Sequence, residues 1–536
     1  MDQIDYSISI NRHITKNPRL IKNTWEDFYN VAQNRKVILY GISEIFNFLW
    51  LRCDTAISIV AAIDNDSGKQ NLSLGTFFDE NDLGDAKDIK ISPKSAIKSY
   101  SPDEVVILIS SLRYYDEIAA ELETMGFYCY FSVLNLEYYY RNINSNFETL
   151  DSYKTRYAKE CTEKYPIENN KIVCYGFGGY ADHEKYITEA LLKMNKNLHL
   201  IWIVKKFPVD VPEGVEVVFN GNFKRYIREM ETAKIWIFDV PIEMNLIKRE
   251  EQIYIQTKHW GSITLKKFYL DTPLVSQVKD NEYFWKLNGN WMDYVISGSE
   301  FDEKSCRSGF NFKGKFLRFG SPRSDAMFEP ERYKSKIYKY FNLNPEDHIL
   351  LYAPTFRFRN AKEGDIEVVP QDFLNFEMLM SSLKVRWPLS WKILLRLHPH
   401  LRTQAKRLKK PDFVIDVTDY DDNQELAAAA DIMISDYSSF MFEPAYVLKP
   451  VFLYAPDKDE YVKNERELLL DYDSLPFPIS TNDEELATQI EKFDEEAYNQ
   501  DVKKFLASYN VCEDGHASQR AAQFILDLIT RGEAHA

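Results

Sequence analysis

The segment Ile432–Pro450, IMISDYSSFMFEPAYVLKP, carries side chains suited to anion binding. Its first residues predict a short buried strand that runs into a hydroxyl-rich turn and then into a helix. Such a turn presents free backbone N–H groups and the positive end of a helix dipole, for which phosphate is the usual ligand. Ser438 and Ser439 add donors, and Glu443, one helical turn further, suits a ribose hydroxyl pair. The alternative is an ordinary helix N-cap, since Ser and Asp begin many helices without a ligand.

A second strand end, Ile393–His400, reads ILLRLHPH and ends in a basic turn. Arg396 offers a bidentate fork for phosphate, His398 an imidazole, and His400 a second donor. The alternative is a solvated loop. Two such strand ends, about 40 residues apart, indicate a crevice at the carboxyl ends of a parallel sheet.

Two further turns carry basic or hydroxyl side chains. The stretch APTFR follows a predicted strand with Thr355 and Arg357, and GSPRSD carries Arg323. Each signal is weak alone, and together they place more phosphate-binding groups at predicted strand or loop ends.

His259 lies in IYIQTKHWGSITLKK, in the turn after the short apolar stretch Ile253–Ile255. An imidazole at the mouth of a polar turn suits a general base. The alternative is a histidine packed beside Trp260, because most of the nine histidines in a chain of this kind are structural or solvated. No metal-ligand cluster stands out, and the acidic DYDDN loop is interpreted as solvated.

Size and charge exclude several classes of protein. A chain of 536 residues predicts about three domains, and a net charge of −16 argues against nucleic-acid binding and against broad docking on an anionic membrane. No run of 18 apolar residues and no signal peptide are visible in the sequence. The six cysteines form no CxxC pair, which favours reduced thiols and a cytoplasmic location.

Apolar β-branched runs alternate with helical stretches throughout, which predicts an α/β protein. The first block, residues 1–145, is Rossmann-like, with strands at Lys36–Tyr40, Ser58–Ile63 and Val105–Ile109. Its turn has one glycine, Gly41, where a dinucleotide fingerprint needs three, although Asp64 stands where a ribose-binding acid would. We therefore interpret this block as a non-catalytic accessory domain.

The rest of the chain divides into a polar connector at residues 146–170 and two α/β blocks at 171–335 and 336–536. The predicted strands of the second block include KIVCY, LHLIWIV and KIWIF, and those of the third include HILLYA and PVFLY. An amphipathic helix, Ser518–Ile529, is expected to close the third block. Two successive α/β units with polar strand ends predict a ligand between them.

The stretches LLYAPTFR, LLRLHPH, VIDVTDYDDNQEL, ISDYSSFMFEPAYVLKPVFLYAPD and DGHASQR resemble the CDP-glycerol glycerophosphotransferases, the teichoic acid polymerase family. KIWIFDVP, QIYIQTKHWGSITLKK and GSPRSD resemble the first half of the same family. The resemblance covers residues 165–530. It implies a GT-B fold, in which two Rossmann-like domains face each other across a cleft, preceded here by the accessory domain.

The resemblance also implies the transfer of a polyol phosphate from a CDP-activated donor to a hydroxyl, with release of CMP and without a metal or cofactor. The family's two catalytic histidines correspond to His259 and His398, while Ser438, Ser439 and Glu443 correspond to donor contacts. One departure concerns the loop of the first histidine, which the family usually writes WHGTP. Here it reads Lys-His-Trp-Gly-Ser, with an extra residue before the hydroxyl, and this departure leaves the acceptor and the polyol open.

The implied partners are CDP-glycerol or a related CDP-polyol, and a polyol-phosphate or glycan acceptor that can be lipid-linked. The expected setting is teichoic acid-like or capsular polymer assembly at the inner face of the cell membrane. Two alternatives remain: a GT-B glycosyltransferase that uses a nucleotide sugar, and a non-catalytic scaffold whose first block docks a partner. A scaffold would need neither His259 nor His398.

Overall fold

The computed structural model describes residues 23–53, 57–111, 114–176, 179–272, 279–355, 374–398, 405, 409–464 and 467–533. Within these residues the strands form three sheets in which every strand pair is parallel. Parallel strands need crossover connections, which helices supply here, so each sheet is covered on its faces.

The first sheet has the order β3-β2-β1-β4-β5. Its strands are β1 (Lys36–Tyr40), β2 (Ile59–Ile63), β3 (Ile91–Ser92), β4 (Val105–Ile109) and β5 (Tyr130–Ser132). Its α-helices are Trp25–Ala32, Asn47–Arg52, Leu74–Phe77, Glu80–Leu83, Tyr115–Thr124 and Val133–Ile143. The predicted helix after β1 is split, because a 3₁₀ turn at Glu44–Phe46 precedes the α-helix.

The turn after β1 is closed by a side chain of the protein itself. The Ile42 N–H donates to the buried Asp64 carboxylate at 2.7 Å, and the Lys69 ammonium lies 3.0 Å from the same oxygen. The acid that stands at the ribose-binding position therefore caps the turn and is neutralised by a lysine. The interpretation of the first block as a non-catalytic accessory domain stays a prediction.

The second sheet has the order β12-β11-β10-β9-β6-β7-β8. Its strands are β6 (Glu168–Tyr175), β7 (His199–Val204), β8 (Val215–Phe219), β9 (Ala233–Phe238), β10 (Ile253–Gln256), β11 (Tyr294–Ser297) and β12 (Lys315–Arg318). Its α-helices are Leu150–Lys164, Asp182–Met194, Phe223–Thr232, Lys279–Trp291 and Glu300–Gly309. Strands β11 and β12, of four residues each, are not predicted from the sequence.

The third sheet has the order β15-β14-β13-β16-β17-β18. Its strands are β13 (Asp347–Ala353), β14 (Ser390–Leu395), β15 (Val414–Asp416), β16 (Ile432–Ser435), β17 (Val451–Tyr454) and β18 (Ile479–Ser480). The α-helices of this part are Pro330–Phe341, Phe376–Arg386, Asn423–Ala429, Phe442–Tyr446, Lys458–Asn464, Asp483–Glu491, Glu495–Ser508 and Ala517–Glu533.

Two segments pack differently from the predicted division of the chain. The helix Leu150–Lys164, placed in the connector, buries Ala158 and Cys161 in the core beside the second sheet. The closing helix Ala517–Glu533, placed in the third block, buries Ala521, Ala522 and Ile525 on the other face of that sheet. The two alanines let this helix pack closely on the helix Asp182–Met194. The chain therefore crosses back from the third sheet to the second before it ends in this helix.

The first domain docks on the β8 edge of the second sheet. Phe77 packs edge-on against Phe207 and Phe219, with ring centroids 5.7 and 5.1 Å apart. Around this apolar contact, Arg228 pairs with the buried Asp79 at 3.1 Å and Lys224 pairs with Asp82 at 2.5 Å. Apolar contact and ion pairs together hold the domain against its neighbour.

Candidate active site

His259 is an exposed residue between two buried ones in the loop after β10. Lys258 has the left-handed backbone angle φ +62° and a side chain with no exposed surface. Its ammonium lies 2.9 Å from Oδ2 of Asp302 and donates to the Gly261 carbonyl at 3.2 Å. The loop therefore turns its lysine inward and leaves the imidazole at the surface.

Trp260 fixes the other side of His259. Its indole Nε1 donates to Oδ1 of Asp302 at 3.0 Å, and its ring packs on Phe268 with centroids 4.4 Å apart. The His259 ring meets this indole edge-on at 5.0 Å. The histidine thus packs beside Trp260, as the alternative interpretation predicted, and is also exposed, as a base requires.

A second histidine, His183, lies beneath the loop and is fully buried. Its Nε2 donates to the Trp260 carbonyl at 3.0 Å, and its Nδ1 accepts from the Arg323 backbone N–H at 3.5 Å. Burial, followed by the charges of Arg323 and Lys258, lowers the pKa of His183 well below the usual histidine value. This neutral imidazole supports the loop and has no exposed surface to meet a substrate.

Arg323 joins carboxylates from the two facing domains. Its Nη1 donates to both oxygens of Asp182, at 3.1 and 3.0 Å, and its Nη2 donates to Oε1 of Glu443. The other Glu443 oxygen accepts from Gln424 at 3.3 Å. We predicted phosphate contact for Arg323 and ribose contact for Glu443; in this structure they bind each other, and their ligand roles stay predictions.

The remaining predicted residues lie at the carboxyl edge of the third sheet. Strands β14, β13 and β16 are neighbours, with Tyr352 paired to both Leu395 and Ile434. Their parallel direction brings the segments that follow them, with Thr355, His398 and Ser438, to one edge. Arg357 and His400 lie outside the described residues.

Arg396 and Thr355 contact the protein's own loops. One terminal nitrogen of the buried Arg396 donates to the carbonyls of Val417 at 2.9 Å, Thr418 at 2.7 Å and Tyr420. The Thr355 N–H donates to both oxygens of Asp436, at 2.9 and 3.1 Å. These contacts set the shape of the edge beside His398, which is half-buried.

The two serines of the hydroxyl turn make different contacts. Ser438 is half-buried and accepts from the Phe440 N–H at 3.3 Å, which is the N-cap contact of the alternative interpretation. Ser439 Oγ accepts from the Leu265 N–H of the opposite domain at 2.9 Å. Both serines are half-buried, but the Ser439 hydroxyl joins the domains, whereas the Ser438 hydroxyl caps its own helix and remains beside the open edge.

Further contacts close the cleft around the His259 loop. The Ser262 N–H donates to the Tyr446 hydroxyl at 2.9 Å, and a Cβ on Gly261 would lie 2.9 Å from the same oxygen. Lys185 reaches across to Asp422 and Glu425, at 2.5 Å to each. The loop after β10 therefore meets the helix after β16 at hydrogen-bonding distance, and a second contact joins the domains through Lys185.

A carboxylate in the segment that crosses between the domains is not predicted from the sequence. Glu513 accepts from the Ser262 hydroxyl, and both its oxygens accept from the Ser321 N–H at 3.1 Å. Burial raises the pKa of Glu513 to about 7. It was missed together with Asp182, His183 and Asp302, because nothing in the local sequence indicates that these residues meet the His259 loop.

Among the described residues, no group of three or more His, Cys, Asp or Glu side chains is arranged to hold a metal ion. The helices described here include none that is long and apolar enough to cross a membrane.

Two parallel α/β sheets face each other with the carboxyl edges that carry the polar residues described above. This arrangement defines a GT-B transferase fold, which a Rossmann-like domain precedes in the sequence. The sequence profile of the CDP-glycerol:poly(glycerophosphate) glycerophosphotransferases matches residues 158–527, and the chain belongs to this family. The first domain, residues 1–145, lies entirely before the match.

Characterised relatives agree with this assignment. The chain is 33% identical over 380 residues to a teichoic acid ribitol-phosphate primase of Bacillus spizizenii. The aligned region covers 68% of this chain and 93% of that relative. It is 30% identical over 393 residues to a teichoic acid poly(glycerol phosphate) polymerase of Staphylococcus epidermidis, which covers 70% of this chain. The match spans only 53% of that longer polymerase.

A solved structure of the wall teichoic acid polymerase TagF shows the same fold. It superposes with a TM-score of 0.62 at 27% sequence identity, covering 72% of this chain and 94% of that one. The family assignment from sequence and the predicted fold class are therefore confirmed.

Proposed function

We propose that this protein transfers a polyol phosphate from a CDP-activated donor, CDP-glycerol or a close relative, to an acceptor hydroxyl and releases CMP. The observation that carries the proposal is the construction of the His259 loop, in which buried contacts on both sides leave one imidazole exposed. Family membership supplies the chemistry, and a TagF structure soaked with CDPG is among the structural neighbours.

The proposed step is a direct displacement at phosphorus. His259 accepts the proton of the acceptor hydroxyl, whose oxygen then attacks the phosphorus that bears the polyol. The phosphoanhydride bond breaks, and CMP leaves with its electron pair. His398, at the opposite edge, stabilises the charge that develops on the leaving phosphate and supplies a proton to it.

Donor contacts follow from exposure at the third-sheet edge. Ser438 and His398 are half-buried, and we assign to them the contacts with the diphosphate. Arg323 donates to protein oxygens through both terminal nitrogens and Arg396 through one, so both residues shape the site.

Family membership suggests that the acceptor is a polyol phosphate or a glycan. It also suggests that the reaction belongs to the assembly of a teichoic acid-like or capsular polymer. A lipid-linked acceptor would place the reaction at the inner face of the membrane. Relatives include both glycerol-phosphate and ribitol-phosphate enzymes, and both primases and polymerases, so the polyol and the number of units added are decided by assay.

A donor screen tests the proposal. The protein is incubated with CDP-glycerol, CDP-ribitol and UDP-sugars, each with a polyol-phosphate acceptor, and released CMP or UDP is measured. We expect CMP from a CDP-polyol and no UDP. Release of UDP from a nucleotide sugar would favour a glycosyltransferase, and no release from any donor would favour the scaffold.

A further inference from the structure

Asp302 contacts both residues that flank His259. Its Oδ2 lies 2.9 Å from the Lys258 ammonium, and its Oδ1 accepts from the Trp260 indole at 3.0 Å. Its own position is fixed by the helix Glu300–Gly309, since the Asp302 N–H donates to the N-cap hydroxyl of Ser299 at 3.0 Å. A helix start therefore holds the carboxylate, and the carboxylate holds the loop at two points.

The Ser299 hydroxyl ties the same helix to the far side of the loop. It donates to the Ser262 carbonyl at 2.6 Å. Between these anchors, His259 is the exposed member, and its ring rests edge-on against the Trp260 indole with centroids 5.0 Å apart. Any shift of Trp260 would move the surface against which the imidazole lies.

Burial of the Lys258–Asp302 ion pair carries a desolvation penalty. Both side chains have no exposed surface, and an apolar pair of the same volume is often as stable as a buried ion pair or more so. Directional contacts to two neighbours of one residue give an orientation that apolar packing would not define. The pair therefore fits a role in fixing geometry.

We propose that Asp302 is a positioning residue that sets the orientation of the His259 imidazole through Lys258 and Trp260. The proposal rests on the proposed function for the identity of the base. It adds a residue on a different element, reached from β11, which the motif around His259 does not contain.

The first test needs no substrate. With histidine and tryptophan selectively labelled in the full chain, we expect a nuclear Overhauser contact between the His259 and Trp260 rings in the wild type. Asp302→Asn keeps the shape but removes the charge that holds Lys258, so this contact should weaken. If Asp302→Asn leaves the contact unchanged, the positioning role is wrong.

The second test is a double-mutant cycle on CMP release. We expect Asp302→Asn to lower kcat about 10- to 100-fold, because a small misplacement of a catalytic group can cost this much. CDP affinity measured by calorimetry should stay within about twofold, since the base meets the acceptor. In a His259→Ala background the same substitution should cost less than about twofold more. An equal loss in both backgrounds would overturn the proposal.

Glu137 supplies a matched control in the first domain. It too is a buried carboxylate that accepts from an indole, Trp25 at 3.4 Å, and pairs with a cation, Arg52 at 2.8 Å. Glu137→Gln should destabilise that domain without changing kcat in either background. If it lowers kcat as Asp302→Asn does, the effect of Asp302→Asn is general destabilisation and the proposal is overturned.

Trp260→Phe tests the same idea if Asp302→Asn does not fold. It removes the indole N–H and leaves the ion pair and most of the ring packing against Phe268. We expect a lower kcat with CDP affinity retained. An unchanged kcat would count against the positioning role of Asp302.

The two proposals can fail separately. If Asp302→Asn loses the ring contact and the wild type releases no CMP from any CDP donor, the proposed function is rejected but the positioning role stands.

Discussion

Arg323 and Glu443 form a buried ion pair that crosses from the end of the second sheet to the hydroxyl-turn helix of the third. Side-chain exposure is 6% for Arg323 and 0% for Glu443, and Asp182 shares the same guanidinium. Burial raises the pKa of Glu443, while the Arg323 charge opposes that rise. Two residues expected at the ligand thus hold the two domains together.

Removing Arg323 should destabilise the protein strongly. Arg323→Met leaves the buried Glu443 and the partly exposed Asp182 without their cation, and breaking a buried pair in this way costs about 3–5 kcal/mol. Chemical denaturation followed by tryptophan fluorescence measures the loss. Combining Arg323→Met with Glu443→Gln should recover part of it, and a double variant that loses the full sum of both single effects would show that the two residues are not coupled.

His398→Ala should abolish transfer while the fold is retained. The side chain is half-buried after β14, and a group that stabilises charge or moves a proton in the transition state contributes about 100-fold or more. CMP release and circular dichroism are compared with the wild type. Near wild-type turnover would remove His398 from the site.

The two serines of the hydroxyl turn should separate by phenotype. Ser438→Ala should weaken CDP binding about tenfold, since a lost hydrogen bond to a charged group costs about 1.5–3 kcal/mol. Ser439→Ala should instead loosen the domain contact, because it removes the acceptor of the Leu265 N–H. Calorimetry with CDP and thermal unfolding distinguish them, and equal CDP affinity in wild type and Ser438→Ala would contradict the assignment.

The first domain should be dispensable for chemistry, though not for stability. A chain starting at Asn146 lacks Phe77 and so exposes Phe207 and Phe219. We expect donor turnover to persist with a lower melting temperature, which CMP release and thermal unfolding measure. Asp79→Asn in the full chain is the milder control, because it weakens the pair with Arg228 and leaves the Phe77 ring contacts in place. A folded truncation without activity would place the first domain in the active site.

Local sequence patterns were sufficient for the longer apolar strands and for the motif-bearing turns. Apolar runs such as KVILY and VVILI become fully paired central strands, because a parallel strand covered on both faces must be continuously apolar. Short strands were missed, since two to four residues differ little from a loop. These are β3, β5, β11, β12 and β18.

Side-chain partners could not be predicted in the same way. Arg323, Arg396 and Glu443 have the right chemistry for a nucleotide, yet each contacts protein groups that lie 19 to 141 residues away in sequence. Only the tertiary fold brings Asp182 to Arg323 or Asp302 to Lys258. Residue type indicated what these side chains can bind, and the fold decides which partner is close enough.

Glu513 predicts a stability that depends on pH. Burial among Ser262, Ser321 and the crossing segment raises its pKa to about 7, from an ordinary carboxyl value of 4.5. A raised folded-state pKa gives stability that is fully present below about 4.5 and is lost as the pH rises through about 7. Glu513→Gln resembles the protonated form, so it should match the wild type in melting temperature near pH 4.5 and exceed it at pH 8.

The neighbouring Asp514 is the control of opposite sign, because Arg520 lowers the pKa of Asp514. Asp514→Asn should therefore lower the melting temperature at pH 8 and matter less as the pH falls. If Glu513→Gln is no more stable than the wild type at pH 8, the carboxyl is charged there without penalty, and its hydrogen bonds from Ser262 and Ser321 outweigh its burial.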